Sequence, residues 1–149
     1  MSEKKSLLLL SLVISLTLAL ALGVHAGLTS APAVDSLFAQ ISAGDLEKTQ
    51  ALFAEDAVYT NKLTGRSCDG FAEIEEDLAS WQHPGRRYDI VAVTEVGDGV
   101  QVMVEVSDHG IVWAMERMTA ELSDGLIQSL ELDGIRLLNF PYKASDANS

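Results

Sequence analysis

The sequence predicts an α+β domain, with three helices packed against one face of a curved antiparallel sheet. Three observations carry that prediction. From Val34 to Trp81, apolar residues recur at helical spacing in three segments, interrupted by the short strand-like run "AVYTN". From Tyr88 onward the chain turns apolar and β-branched, cut by the turns "GDG", "DHG" and "SDG". Within that second half "VQVMVEVS" alternates strictly, with Val100, Val102, Val104 and Val106 in one phase.

The first 26 residues differ from the rest. "MSEKK" is a short basic start, "SLLLLSLVISLTLALALG" is an uncharged apolar run, and "VHA" ends in a small residue before Gly27. This is the three-part pattern of a secretory signal peptide, with cleavage after Ala26. The run also approaches the ~20 residues of a membrane span, so an uncleaved N-terminal anchor is the competing reading. No cysteine sits at the cleavage point, which argues against a lipid anchor. Both readings place the folded part outside the cytoplasm, in a periplasmic or extracellular compartment.

Residues 27–33 read as a linker, with the domain over 34–140 and a polar flexible tail over 141–149. Val34, Leu37, Phe38 and Ile41 mark the first helix, which Gly44 stops because glycine accepts a left-handed cap. Asp45 is placed to cap a second, short helix that buries Leu46, Leu52 and Phe53. "KLTGRSCDG" reads as a loop. Phe71, Ile74, Leu78 and Trp81 mark the third helix, with Asp69 as its cap, and "HPGRR" ends it. The strands "YDIVAVTEV", "VQVMVEVS", "IVWAMERMTAEL" and "LIQSLELDGIRLLNF" then form a meander.

A chain of 149 residues with 48% hydrophobic content supports one domain with one core. Its net charge of −12 opposes nucleic acid, whose phosphates it would repel, and anionic lipid likewise. A membrane partner is expected only through the N-terminal segment. Cys68 is the lone cysteine, so no internal disulfide can form. His25, His83 and His109 are scattered, no metal-ligand spacing exists, and the sequence calls for no cofactor.

The run "AGDLEKTQALFAEDAVYTN", the "GFAEI" that opens the third helix, and the four-strand meander resemble the nuclear transport factor 2-like superfamily, and within it the SnoaL-like domain proteins. The resemblance runs from Val34 to Phe140. It implies a cystatin-like cone with an internal cavity, small apolar ligands and often a homodimer. That fold hosts many unrelated roles, so activity must be tested residue by residue. Compared without gaps, the catalytic positions of ketosteroid isomerases of this fold fall on Leu37, Asn61 and Met118. None of these supplies the required phenol, base or carboxylic acid. Limonene epoxide hydrolases share Tyr59 and Asn61, the pair that holds the attacking water. Their remaining relay positions fall on Glu105, Ser107 and Leu132, with Asp133 one residue away. The long-strand acid of SnoaL-type polyketide cyclases again falls on Met118.

The leading functional reading is binding of a small, largely apolar molecule in the cone. Tyr59 and Asn61 share one strand face and supply polar contacts, with Trp81, Met118, Leu130 and Leu132 as apolar lining. If there is chemistry, it is acid–base or water-addition work with Glu105 or Asp133 as base, in a hydrolase, cyclase or isomerase. Glu105 lies on the strand face opposite the valines. The valine row marks the core face, whereas the resemblance puts Glu105 in the cavity, and the two readings disagree. Glu116 and Arg117 read as a surface charge pair. A Trp113, Met115 and Arg117 stripe suits either a homodimer interface or core packing. A non-catalytic dimerising module is the alternative from another class.

Overall fold

The computed structural model describes residues 31–143, and for residues 140–143 their backbone. The expected signal segment, most of the linker and residues 144–149 of the tail lie outside the described residues.

Helix α1 (Pro32–Ala43) opens with proline, whose missing N–H costs nothing in the first turn. It buries Ala33, Val34, Leu37, Phe38 and Ile41. Gly44 closes it at φ 78°, and the amides of Gly44 and Asp45 take up the carbonyls of Ile41 and Gln40. The expected second α-helix is a 3₁₀ segment, Leu46–Leu52. Asp45 makes no cap bond and pairs with Lys48 instead. The buried Thr49 returns its hydroxyl to the Leu46 carbonyl at 2.6 Å, which holds the tight turn.

Strand β1 (Phe53–Asn61) starts earlier than "AVYTN", so "FAED" is strand rather than helix end. Phe53 is buried and lies 5.7 Å from the Phe71 ring, which anchors the strand at its first residue. A register irregularity between Phe53 and Val58 leaves Glu55 and Asp56 exposed while Phe53, Ala57 and Tyr59 all reach the core. The expected loop contains a strand, β2 (Arg66–Asp69), paired with β1. Helix α2 (Phe71–Trp81) follows and buries Ile74 and Leu78. Asp69 does not cap it through its side chain. Its backbone amide donates to Glu73 instead, at 3.0 Å.

Strands β3 (Arg86–Val96), β4 (Gly99–Asp108), β5 (Ile111–Ser123) and β6 (Leu126–Lys143) form the expected meander. The sheet order is β2-β1-β6-β5-β4-β3. It is mixed rather than wholly antiparallel, because β1 runs parallel to β6. The sheet curves without closing, and the helices cover one face. Val100, Val102, Val104 and Val106 are buried there in one core with Leu37, Phe38, Ile74 and Leu78. β6 runs past Pro141, where a register shift against β5 accommodates a residue with no N–H.

One contact in the sheet is unusually tight. A Cβ on Gly99 would stand 2.1 Å from the carbonyl oxygen of Ala120 on the next strand. Gly99→Ala therefore has to push β4 off β5. Overpacking of this kind costs roughly 1–3 kcal/mol, so the urea midpoint should fall with little change in slope. An unchanged midpoint would show that the strand spacing yields freely.

Candidate functional site on the concave face

Cross-strand pairing decides which side chains share the helix-covered face. Val104 pairs with Glu116, Val102 with Met118 and Val100 with Ala120. Those residues pair onward with Ile135, Leu132 and Leu130 of β6. Leu130 and Leu132 stand opposite Tyr59 and Asn61 of β1. Partners in a ladder share a face, so Glu116 and Tyr59 belong to the concave surface with the valine row.

Glu116 is the residue that sequence reasoning misses. Its adjacency to Arg117 suggests a surface pair, but neighbours along a strand point to opposite faces. Arg117 lies on the convex side, where it pairs with Asp133. Glu116 is mostly buried, and burial pushes its carboxyl above the ordinary glutamate value of 4.5, with nearby Arg86 opposing weakly. Among the described residues Glu116 has no ion-pair partner within salt-bridge distance. Arg86 is committed elsewhere. Its Nε and Nη2 donate to the two carboxylate oxygens of Asp108 at 3.0 Å each, and its guanidinium lies 5.1 Å from the Trp113 ring centre.

Tyr59 is fully buried, and its hydroxyl makes no hydrogen bond among the described groups. Burial raises its pKa well above the usual tyrosine range, and the charges of Asp77 and Glu116 add to the rise. Trp81 meets it edge-on at 5.6 Å and stands 6.0 Å from Tyr88. Tyr88 donates its hydroxyl to the Trp81 carbonyl at 2.9 Å, and burial and then Glu116 push its pKa up to about 12. Two tyrosines and one carboxyl thus feel one another on this face.

The other expected residues separate into three groups. Met118, Leu130 and Leu132 are buried on the concave face, as a lining would be. Asn61 stands beside them in register, but its Oδ1 accepts from the amides of Leu63 and Thr64 at 3.0 and 3.2 Å. Its Oδ1 thereby shapes the β1–β2 turn. Glu105 and Asp133 leave the cone altogether. Glu105 pairs with Asp89 and Met115, on the face opposite the valines. Asp133 is the extra residue of a bulge in β6, between the pairs Arg117–Gly134 and Met118–Leu132. One step along the strand from Leu132 puts it on the convex side, where it also accepts from Thr119 at 3.2 Å. Neither carboxylate can serve as the base there. The Trp113–Met115–Arg117 stripe does not exist either. Trp113 is the extra residue of a bulge in β5, which turns its ring under Arg86, on the side opposite Arg117.

β1 ends at Asn61 opposite Leu132, so β6 beyond that point lacks a neighbour on that side. Ile135 and Leu137, the partners of Glu116 and Ala114, are 42% and 63% exposed there.

The SnoaL-like domain family profile matches residues 34–129. Solved structures share the nuclear transport factor 2-like fold. A provisionally assigned polyketide cyclase from Sinorhizobium meliloti is 24% identical, over 68% of this chain and 94% of that one, with a TM-score of 0.59. A provisionally assigned ketosteroid isomerase from Kribbella flavida is 19% identical, over 82% and 87%, with a TM-score of 0.56. A nuclear transport factor 2-like protein of unknown function from Cytophaga hutchinsonii is 14% identical, over 68% and 85%, also with a TM-score of 0.56. At these identities the likeness speaks for the fold alone. No curated protein sequence matches the chain.

The raised carboxyl of Glu116 has a consequence for stability. Its folded pKa exceeds the unfolded value, so the folded state holds the proton more tightly. Stability is full below the ordinary value and falls as pH rises through the folded one. Glu116→Gln should remove that fall, giving a higher melting temperature than wild type at neutral pH and none of the advantage below ~pH 4. Parallel melting curves across this range would mean that Glu116 is not in a desolvated site.

Proposed function

The chain belongs to the SnoaL-like domain family, and from that premise we propose that it is an exported protein that binds a small, largely apolar molecule on the concave face, with Glu116 and the Tyr59 hydroxyl as polar anchors. One observation carries the reading. A mostly buried carboxyl without an ion-pair partner and a buried phenol without a hydrogen bond share an otherwise apolar face. The buried, unpartnered phenol costs roughly 1–3 kcal/mol. A ligand carrying a hydroxyl, carbonyl or ring oxygen would relieve that cost, while its apolar body covers Ile135 and Leu137. Where the ligand is also a substrate, Glu116 is the group to take and return a proton, because burial has moved its pKa toward neutrality. Tyr59 then serves as a hydrogen-bond donor and not as a base, since its pKa is too high. Export rests on the N-terminal pattern of residues 1–26.

The test uses the full chain purified from its own host. Native mass spectrometry should find a retained small molecule, and a mass lacking residues 1–26 would establish cleavage. A panel of apolar lactones, epoxides and steroids should include compounds that raise the melting temperature. Glu116→Gln and Tyr59→Phe should each weaken a hit about tenfold, the usual loss of one buried polar contact. If no compound is retained and none stabilises the protein, the binding reading fails.

A further inference from the structure

A cavity lies where the end of α1 meets the "HPGRR" turn. It encloses about 480 Å³ and is lined by Ile41, Gln82, His83, Pro84, Arg86 and Arg87, among others. Three features set it apart. Arg86 and Arg87 are the only adjacent basic residues in the described part of a chain with net charge −12. The Gln82 Nε2 is buried and makes no hydrogen bond among the described groups. Several of the helix-end carbonyls that would repel an anion already accept hydrogen bonds. Those of Gln40 and Ile41 at the end of α1 accept from Asp45 and Gly44, and that of Trp81 at the end of α2 accepts from the Tyr88 hydroxyl.

The arginines are held rather than used up. Asp108 fixes Arg86 side-on through Nε and Nη2, which leaves Nη1 outside that pair. Arg87 touches Asp89 only through Nη2 at 3.6 Å, and its side chain is 64% exposed. A planar guanidinium so oriented presents its remaining N–H groups as a fork suited to a carboxylate. Ile41 and Pro84 supply an apolar wall beside it. We propose that this cavity is a binding site for a small organic carboxylate, with Gln82 and the two arginines as donors and Ile41 and Pro84 against its carbon skeleton. The cavity shares Arg86 with the surroundings of Glu116, but nothing in it depends on Glu116 acting as the anchor there.

Sodium benzoate is the probe, titrated into the isotope-labelled full chain at constant ionic strength while backbone amide shifts are followed. Saturable shifts should centre on residues 41–44 and 82–87 and leave the amides around Glu116 in place. Affinity in the millimolar range is expected for so open a site, and Gln82→Leu and Arg87→Ala should each weaken it about tenfold. Arg87 is an exposed residue, so its variant should fold, and the amide spectrum checks both variants. Benzoate shifts that fail to saturate, that sodium chloride reproduces at equal ionic strength, or that survive in both variants would overturn the site. Shifts confined to Met118, Leu130 and Leu132 would place benzoate on the concave face and also overturn it.

Discussion

The parallel pairing of β1 with β6 is the constraint on which the rest depends. It carries the early hairpin across to the far strand of the meander and so puts sequence-distant Tyr59 beside Leu130. Parallel strands cannot be joined by a tight turn, so a long stretch of chain must lie between them. Here that stretch includes α2 and four strands. The pairing also sets the site's limits. It stops at Asn61 and Leu132, and the uncovered length of β6 beyond becomes the opening beside Glu116.

Register irregularities recur along the meander, and three of them bear on single side chains. The one at Asp133 in β6 keeps Gly134 opposite Arg117 and returns Ile135 to the face of Glu116. The one in β5 turns Trp113 under Arg86. The one in β3 falls at Val91, which is half exposed on the edge strand. A bulge adds one residue and reverses the phase of the strand beyond it, so it can separate side chains that strict alternation would keep together.

That is why the sequence is legible in some places and not in others. The α+β class, the first and third helices and the four-strand meander follow from periodicity, and the valine row names the core face correctly. The parallel pairing cannot be read, because strand order leaves no trace in local pattern. "FAED" looks helical because its charges mask Phe53 as a buried strand residue. Glu116 is easily misread through its neighbour Arg117, although a better clue is present. Ala114, Met118 and Ala120 are small or apolar residues in one phase of β5, and Glu116 sits in that same phase. A carboxylate in the buried phase of a strand is a more telling feature than its adjacency to an arginine. Asp133 attracts attention as one residue from a relay position, and that single step along the strand turns it to the opposite face.

Glu116 stays unpaired although an arginine is near. Arg86 lies close enough to lower its pKa, and a direct pair would make Glu116 an ordinary anion. Asp108 prevents this. It engages two guanidinium nitrogens of Arg86 in a fixed plane, and that pairing holds the Asp108 carboxyl below its usual value. Trp113 lies against the same guanidinium. The arginine therefore acts on Glu116 only as a distant charge, too weak to offset burial. One ion pair at the start of β3 thus keeps a carboxyl on β5 desolvated and available. A core built for stability alone would have no use for that arrangement, since an apolar residue at 116 would pack better and cost less. Retaining the carboxyl makes sense when something else supplies the missing partner.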